Sequence, residues 1–350
     1  MKTDIESLTY EQLNNAVLEL GLPKFRTKQI FNWLHFHAVT SFDDMTNISK
    51  ELKEKLKENF FISHCDIEDK YVSEIDSTVK YLFKLWDGEY IESVVMKYKY
   101  GYTICVSSQV GCKMGCKFCA STLAGFKRNL TAGEIESQIH SAQKDLGVRI
   151  SHIVMMGIGE PLDNFDNVID FLENVNSPDG LNISMRNITV STCGIVDKIY
   201  ELMDLGLQLT LTISLHASNN EIRSKTMPVN DKYPIEQVLK ACRDYSKKTG
   251  RRISFEYTLI KGVNDRECDA LELAGRLKGM LCHVNLIPVN DVEERGNVRG
   301  SRESIEKFCV VLKNNSINAT IRRTLGADIN ASCGQLRYKK KRGDAVEDCC

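Results

Sequence analysis

The stretch Gly111-Cys-Lys-Met-Gly-Cys-Lys-Phe-Cys119 decides how the rest of this chain is interpreted. It places Cys112, Cys116 and Cys119 at a C-x3-C-x2-C spacing, and no fourth cysteine follows closely. Three thiolates on one short loop can bind three irons of a cubane iron–sulfur cluster. The fourth iron then remains free to bind a molecule that is not protein, so the motif predicts a reactive cluster.

Two other uses of cysteine compete with this interpretation. A zinc site normally takes four Cys or His ligands in two close pairs, and the sequence has no second C-x2-C or H-x3–5-H pair. A disulfide framework fits poorly with 350 residues, 13 cysteines and no apolar N-terminal signal segment, which together favour a reducing cytoplasm. The scattered cysteines have apolar neighbours and are expected to be small core residues: Cys65, Cys242, Cys268, Cys282 and Cys309.

The composition is that of a globular protein, with 42% hydrophobic and 27% charged residues. Its length allows one large domain and a smaller one. No apolar run approaches the ~20 residues that a membrane-spanning helix needs. The formal net charge of −1 neither favours nor excludes a nucleic-acid partner. Local basic density occurs in residues 24–33, 127–128 and 337–342, and each could equally be a solvated surface.

The N-terminal part of the chain differs in pattern from the rest. Apolar residues recur at helical spacing from Ser7 to about Phe61, which predicts a small helical domain. Val79–Leu85 and Ile91–Met96 alternate apolar and polar residues around the turn signal Asp87-Gly88, so a connecting β-hairpin is predicted. We therefore expect a helical domain (1–75), a hairpin (76–101), a catalytic domain (102–325) and a C-terminal segment with a basic tail (326–350).

After Tyr102 short β-branched runs alternate with amphipathic stretches. The predicted strands are Thr103–Ser107, His152–Met156, Asn187–Ser191, Leu209–Leu215, Ile253–Leu259 and His283–Pro288. The predicted helices are Thr131–Leu146, Phe165–Val175, Val196–Leu205, Pro234–Lys248 and Arg266–Leu277. This alternation predicts an α/β fold, a parallel sheet with its helices outside, as a full or partial TIM-type (β/α)6 barrel.

The cysteine spacing, with the aromatic Phe118 before the last cysteine, resembles the signature of radical S-adenosylmethionine (SAM) enzymes. The resemblance implies a [4Fe–4S] cluster whose open iron binds SAM, and electron transfer that releases a 5′-deoxyadenosyl radical. In such barrels the chemistry gathers at the C-terminal ends of the strands. Unusual residues follow the predicted strands here and form the candidate SAM site: Gly159, Glu160, Ser191, Ser214, Leu215, His216 and Asn290.

The chemistry of these residues suits SAM. Gly159 lets the backbone approach the methionine amino group, and Glu160 can contact that end of SAM or organise the loop. Ser191, Ser214 and Asn290 offer neutral hydrogen-bond partners for the carboxylate and the ribose. Taken singly, each fits a turn or the edge of a core equally well. Together they predict one rim that binds a small polar ligand.

Longer segments resemble the RlmN family, bacterial dual-specificity radical SAM methyltransferases that act on adenosine C2 in large-subunit rRNA and tRNA. The resemblance covers nearly the whole chain. It is carried by Cys105-Val-Ser-Ser-Gln-Val-Gly-Cys112, Gly125-Phe-Lys-Arg-Asn-Leu130, Gly157-Ile-Gly-Glu-Pro161, Ser214-Leu-His216, Arg322-Arg-Thr324 and Asp328-Ile-Asn-Ala-Ser-Cys-Gly-Gln-Leu336.

The resemblance implies roles for residues outside the cluster motif. Cys333 matches the cysteine that takes a methyl group from one SAM, while a second SAM in the same turnover supplies the radical. The methyl-derived radical then adds to carbon 2 and joins enzyme and RNA through a thioether. Cys105 matches the resolving cysteine that attacks the Cys333 sulfur to form a transient disulfide, and Glu92 matches the base that removes the carbon 2 proton.

The resemblance also implies binding partners and a cellular location. The RNA partners are 23S rRNA and tRNA, and the electron donor is a protein such as flavodoxin or ferredoxin. The N-terminal helices, Lys127-Arg128 and the 337–342 run are candidates for binding phosphates. A cytoplasmic monomer without membrane contact is expected.

Other functions stay open on the sequence alone. A Cfr-type enzyme uses the same apparatus to methylate carbon 8, although Pro161 and Arg323-Thr324 look more like RlmN. A protein of another class, a non-catalytic iron–sulfur RNA-binding or redox-sensing protein, would share the cluster but has no need of Cys105 and Cys333. Cys349 and Cys350 have no assigned function.

Overall fold

The protein is described by a computed structural model that covers residues 2–288, 300–329, 331, 336–338, 340 and 343. The strands in these residues are β1 (Thr3–Asp4), β2 (Phe60–Phe61), β3 (Asp66–Val72), β4 (Val79–Lys84), β5 (Tyr90–Tyr98), β6 (Gly101–Cys105), β7 (Gln109–Val110), β8 (Arg128–Asn129), β9 (Ile150–Met155), β10 (Ile188–Thr192), β11 (Thr210–Ser214), β12 (Ile253–Leu259), β13 (Cys282–Pro288) and β14 (Ala319–Ile321).

The helices in the same residues follow the predicted alternation. They are α1 (Tyr10–Glu19), α2 (Phe25–His35), α3 (Lys50–Asn59), α4 (Ala132–Leu146), α5 (Phe165–Asn176), α6 (Val196–Asp204), α7 (Asn220–Thr226), α8 (Ile235–Thr249), α9 (Glu267–Leu277) and α10 (Arg302–Asn314). None of these helices is both long and apolar enough to cross a membrane. The six strands and five helices predicted from the sequence after Tyr102 are confirmed to within a few residues at each end.

The N-terminal region folds around its own apolar cluster. Helices α1, α2 and α3 are amphipathic and bury one face each, including Leu13, Phe31 and Leu56. Thr9 caps α1 through a capping box with Gln12, which fixes where this helix begins. The predicted helical pattern is confirmed, while the short parallel pair β1–β2 that closes the region was not predicted.

One sheet of ten strands forms the centre of the molecule, in the order β14-β13-β12-β11-β10-β9-β6-β5-β4-β3. Strands β6 and β9 to β14 run parallel to one another, and β5, β4 and β3 extend the sheet beyond β6 in antiparallel fashion. The hairpin predicted over β4 and β5 is therefore continuous with the catalytic sheet. In the described residues no ladder joins β14 to β3, so the architecture is a partial barrel. The division into four domains stays a prediction.

The two faces of the parallel strands differ sharply in polarity. On the face covered by helices, alternate residues such as Ile104, Ile213 and Phe255 are fully buried in the main apolar cluster. On the opposite face, which we call the inner face, the alternate positions are mostly polar: Thr103, His152, Ser191, Thr212, Ser214, Ser254, Glu256, Thr258, His283 and Asn285. A barrel interior that served only packing would carry branched apolar side chains, so this inner face is suited to bind a polar ligand.

The scattered cysteines divide in the structure. Cys65, Cys242, Cys282 and Cys309 are buried among apolar side chains, as expected. The expectation was wrong for Cys268, which is exposed on α9. Cys268 lies in the first turn of this amphipathic helix, where its position faces solvent although its sequence neighbours include apolar residues.

Candidate active site

The cysteine loop leaves the sheet after β6 and is closed by the antiparallel pair β7–β8. Within it, the Cys119 N–H donates to the Cys116 carbonyl at 3.2 Å, and Thr122 Oγ1 donates to the Cys119 carbonyl at 3.0 Å. Gly111 begins the loop with φ +83°, and a Cβ there would lie 1.7 Å from the Gly125 carbonyl oxygen. Only glycine fits this crossing, so the loop geometry is fixed by the sequence.

The thiols of the loop suit an iron–sulfur cluster. Burial raises the pKa of Cys112 to about 12, with a further contribution from the neighbouring Cys119 thiol, and burial raises that of Cys116 further still. Positive charge from bound irons is what such a thiol set needs to become thiolate. In the described residues, no three Cys, His, Asp or Glu side chains converge around a point where a single metal ion could bind. A cubane differs because each thiolate binds its own iron, and an all-sulfur donor set fits it.

The loop after β9 provides Gly159 and Glu160. Gly159 has φ +111°, and a Cβ there would lie 2.7 Å from the Gln109 Cβ. The loop after β9 therefore packs directly on β7. The Glu160 carboxylate accepts from the Leu162 N–H at 3.0 Å and from the Cys193 N–H at 2.7 Å. Of the two roles expected for Glu160, its side chain is seen to organise the loops after β9 and β10.

Ser191, Ser214 and Leu215 lie at the ends of β10 and β11 but face different ways. The Ser191 and Ser214 hydroxyl oxygens are 3.4 Å apart on the inner face, as a shared ligand site requires. The Leu215 side chain is fully buried in the main apolar cluster. Leu215 can therefore offer a ligand only main-chain atoms.

His216 links the rim to the cysteine loop. It has φ +54°, and its ring packs edge-on against Phe118 with 4.7 Å between centroids. Its Nδ1 accepts from the Thr258 N–H at 2.9 Å, so Nε2 carries the proton. Burial, aided by the charge of Arg223, lowers the pKa of His216 to about 3. The ring is thus a neutral hydrogen-bond donor at physiological pH.

Glu92 is buried on β5, with 1% of its surface exposed. Lys80 on the neighbouring strand β4 places its Nζ 3.0 Å from Glu92 Oε2, and the Arg337 N–H donates to Glu92 Oε1 at 2.8 Å. Sequence reasoning missed Lys80 because a lysine within an alternating strand is ordinarily taken to face solvent. Its partner lies on the other strand of the predicted hairpin, but the alternating pattern does not show that both side chains turn to the buried face.

Cys105 ends β6 and is buried against Val94 and Met96. Leu325 and, within the C-terminal segment, Ala331 pack on the same cluster. Cys333 and Asn290 lie outside the described residues, as do Cys349 and Cys350. Of the sequence-predicted residues that are described, one end of the sheet thus carries the cysteine loop, Gly159, Glu160, Ser191, Ser214, His216 and Cys105.

Two of the basic side chains predicted to contact phosphate form ion pairs with acidic side chains of the protein. Arg128 forms ion pairs with Asp87 and with Glu134, each at 2.7 Å. Arg337 is 1% exposed and its guanidinium lies 3.3 Å from Glu89. Both arginines therefore join separate segments of the chain. The basic sequence pattern did not distinguish such internal ion pairs from a solvent-facing basic surface.

Comparisons with known proteins agree with this geometry. The model of the "Radical SAM superfamily" matches residues 106–274, and that of the "Ribosomal RNA large subunit methyltransferase N-terminal domain" matches residues 3–62. The "Probable dual-specificity RNA methyltransferase RlmN" of Clostridium novyi (strain NT) is 56% identical over 334 residues, covering 95% of this chain and 97% of the relative. The protein with the same description from Alkaliphilus oremlandii (strain OhILAs) is 56% identical over 338 residues, covering 97% and 98%.

A solved structure is similar over the same extent. The crystal structure of a radical SAM methyltransferase from Sphaerobacter thermophilus superposes with a TM-score of 0.90 at 40% identity, and the match covers 95% of this chain and 98% of that chain. Fold, cysteine loop and relatives thus agree over both the N-terminal region and the sheet. The chain belongs to the RlmN family of the radical SAM superfamily.

Proposed function

We propose that this chain methylates carbon 2 of an adenosine in 23S rRNA and in tRNA, using a methyl group carried on Cys333. Carbon 2 is electron-poor and does not attack the sulfonium methyl of SAM as an ordinary nucleophile does. The observation that carries the proposal is that described residues on both sides of Cys333 contact the two residues expected to complete the reaction. Ala331 packs in the Cys105 cluster, and the Arg337 N–H donates to Glu92.

Cys112, Cys116 and Cys119 are proposed to hold the [4Fe–4S] cluster, which with SAM supplies the radical that activates the Cys333 methyl group. Two SAM molecules are used per turnover, one for the methyl group and one for the radical. All three cysteine ligands come from one loop, so the cluster needs no ligand from the substrate-binding residues.

Cys105 is proposed to release the product. The unpaired electron left by radical addition would return to the cluster, which gave up one electron to SAM. The Cys105 thiolate then attacks the Cys333 sulfur and forms a disulfide, and the electron pair of the broken carbon–sulfur bond stays with the RNA carbon, which takes up a proton. Burial of Cys105 keeps other thiols and water away from this step. The disulfide must be reduced before the next turnover.

Glu92 is proposed to remove the proton of carbon 2. Its carboxylate is held between the Lys80 ammonium and the Arg337 main chain, so its position is fixed before the base arrives. A base held in place by groups that do not react loses little energy to reorganisation.

The contacts to SAM are proposed from the sequence-predicted residues. Ser191, Ser214 and Asn290 are proposed to bind the polar groups of SAM. The neutral His216 donates from Nε2, and the main chain of Gly159 is proposed to contact the amino group of SAM from the loop that Glu160 organises. Leu215 contributes through its main chain.

The partners follow from the family. The relatives' description as dual-specificity RNA methyltransferases, and the ribosomal RNA methyltransferase N-terminal domain model, support 23S rRNA and tRNA as substrates. The target base must leave its stack to reach the inner face. We expect a cytoplasmic monomer that receives electrons from a flavodoxin or ferredoxin. Methylation of carbon 8 by a Cfr-type enzyme is not favoured, because the relatives are described as RlmN.

The test is to identify the modified atom. Anaerobically reconstituted protein is incubated with SAM, a reductant and 23S rRNA or tRNA, and the RNA is digested to nucleosides. We expect 2-methyladenosine from both RNAs, together with 5′-deoxyadenosine. Formation of 8-methyladenosine would instead establish the Cfr-type reaction, and absence of both nucleosides and of 5′-deoxyadenosine would favour a non-catalytic iron–sulfur protein.

A further inference from the structure

Glu256 is a buried carboxylate on the inner face that none of the roles above uses. It lies in the middle of β12 with 4% of its surface exposed. Oε1 accepts from Asn285 Nδ2 at 2.9 Å. Among the described residues, no group lies within hydrogen-bond distance of Oε2, which is buried as well. The closest charge is the Arg322 guanidinium at 3.9 Å, too far for a hydrogen bond.

The surroundings of Glu256 connect it to both halves of the proposed site. On one side it is the register partner of Ser214, whose hydroxyl lies 3.4 Å from that of Ser191. On the other side Arg322 Nη1 is 3.9 Å from the Met156 sulfur, and Met156 packs in the Cys105 cluster. Glu256 is therefore next to the proposed SAM-binding serines through Ser214, and Arg322 connects it to the cluster around the resolving cysteine.

A buried carboxylate oxygen that lacks a donor is costly, and such groups in native proteins usually have a partner supplied from outside. The sign of the charge limits what that partner is. A carboxylate repels the carboxylate of SAM and the phosphates of RNA, so the part of the ligand facing it must donate hydrogen bonds. The adjacent hydroxyls of a ribose fit, and carboxylates bind ribose hydroxyls in other nucleotide sites.

We propose that Glu256 Oε2 accepts a hydrogen bond from a ribose hydroxyl of an adenosine bound against the inner face. This inference rests on the proposed function, which brings two adenosines there, one in SAM and one in the RNA. Asn285 holds the carboxylate from one side, and Arg322 balances its charge without occupying the open oxygen. The ribose of SAM would approach from the Ser214 side, and that of the target nucleotide from the Met156 side.

The test measures ligand binding by the anaerobically reconstituted holoprotein. Equilibrium dialysis compares SAM with 2′-deoxy-SAM and 3′-deoxy-SAM, and fluorescence anisotropy compares an RNA hairpin containing the target adenosine with one carrying 2′-deoxyadenosine there. The variants are Glu256→Ala and the nearly isosteric Glu256→Gln, which keeps an acceptor for Asn285. Glu236→Ala is the matched control, since Glu236 forms an exposed ion pair with Arg276 away from the inner face.

The wild-type protein and Glu236→Ala are expected to bind one deoxy ligand roughly 10-fold more weakly than its ribose parent, as loss of a hydrogen bond to a charged acceptor predicts. Glu256→Ala should bind the ribose ligand roughly 10-fold more weakly and no longer discriminate, with Glu256→Gln intermediate. Lost discrimination against deoxy-SAM assigns the contact to SAM, and lost discrimination against deoxy-RNA assigns it to the target nucleotide.

Other outcomes overturn the inference. If the Glu256 variants discriminate like the wild type, or if the wild type itself does not discriminate against either deoxy ligand, Glu256 does not bind the ribose. Failure of the wild-type holoprotein to bind SAM at all is a different result, since it contradicts the proposed function itself. Iron content and cubane absorbance of each variant verify that the compared proteins are equally loaded.

Discussion

Two groups of buried charges in this molecule differ in position: one joins the N-terminal region to α4, and the other lies at the proposed active site. The interface network consists of Glu6 and His35 from the N-terminal region and Glu136 and His140 from α4. His35 lies 2.9 Å from Glu136, His140 lies 3.1 Å from Glu6, and the other nitrogen of His140 faces Glu136 at 3.4 Å. Each acid faces a base, so this network joins the N-terminal region to the sheet.

The inner-face carboxylates are arranged differently. Glu92 has Lys80 as its ion-pair partner at 3.0 Å but lies beside the Cys105 cluster, where the substrate is proposed to enter. Glu256 leaves one oxygen without a hydrogen-bond donor among the described residues. Each acid of the interface network has a basic nitrogen within 3.4 Å, whereas the charge nearest to Glu256 Oε2 is 3.9 Å away. Hydrogen-bond completeness alone does not separate the two groups, because His35 Nε2 also has no hydrogen-bond partner among the described residues. Burial alone does not separate the two, since all these carboxylates are nearly inaccessible.

The strongest way to sharpen this contrast is Cys105→Ala at the inner face. We expect multiple turnover to fall by at least roughly 1,000-fold, as for removal of other groups that act as one unit with their partners, while the fold is kept. The RNA should remain attached to Cys333 through the thioether, which a denaturing gel and intact-mass measurement detect.

The control for this variant is Cys242→Ala. Cys242 lies on the buried face of α8, in the apolar core. The control variant should release methylated RNA normally. Release of methylated RNA by Cys105→Ala at the wild-type rate would show that Cys105 is not the resolving cysteine.

In the interface network, Glu136→Ala should affect stability and not chemistry. Removing this acid leaves buried His35 and His140 without their shared partner, and breaking such a pair costs about 3–5 kcal/mol of unfolding free energy. Urea denaturation measures the loss, and the methylation rate per folded molecule should be unchanged.

The matched control is Glu201→Ala, which breaks an exposed pair with Lys198 and should cost under about 1 kcal/mol. A loss of that size in Glu136→Ala, or a specific defect in methylation with normal stability, would contradict the separation of the two groups.

The features that could be predicted from the sequence are those set by residues close together in the chain. The cysteine spacing identified the cluster loop, and the alternation after Tyr102 identified the parallel strands, because side-chain period and turn residues are local properties. The short strand β14 and the third antiparallel strand β3 were missed. β3 carries an irregular register between Ile67 and Asp69 and exposes most of its side chains, so its apolar pattern is weak.

What the sequence could not predict is which way particular polar side chains point. Lys80 and Glu92 look like ordinary polar strand residues until the register of β4 and β5 brings them together. Likewise Arg337 belongs to a basic run, yet it turns inward to Glu89. Orientation of this kind is decided by packing of the whole chain, which no local period encodes.

Lys80→Met tests whether the Glu92 ion pair serves catalysis. Lys80 is expected not to contact the substrate and to act by positioning Glu92. We therefore expect turnover to slow by roughly 10- to 100-fold, which corresponds to the free energy of a hydrogen bond to a charged group. The informative readout is the kinetic isotope effect with RNA deuterated at carbon 2 of the target adenosine. It should increase because proton removal becomes slower relative to the other steps. A purely structural role for Lys80 would lower stability and leave the isotope effect unchanged.

The smallest expected effect is the pH dependence of the interface network. Burial acts to lower the pKa of His140, but its bonds to Glu136 and Glu6 outweigh this and raise it to about 10. A raised histidine pKa contributes stability that is complete below about pH 6.5 and is lost as the pH rises toward 10. Burial raises the pKa of Glu6 to about 7, so its stabilising effect is already lost between about pH 4.5 and 7.

The network should therefore weaken on the alkaline side. We expect the unfolding free energy of the wild type to exceed that of His140→Gln most at pH 6.5, with the difference shrinking on the order of 1–2 kcal/mol by pH 9. Urea titrations of both proteins at the two pH values measure it. The acid side behaves oppositely, because the pKa of Glu136, raised by burial but lowered more by His35 and His140, is about 2. Its contribution is present above about pH 4.5 and is lost only as the pH falls toward 2. A difference between the two proteins that stays constant from pH 6.5 to 9 would mean that His140 carries no charge in this network, and the contrast with the inner face would then rest on packing alone.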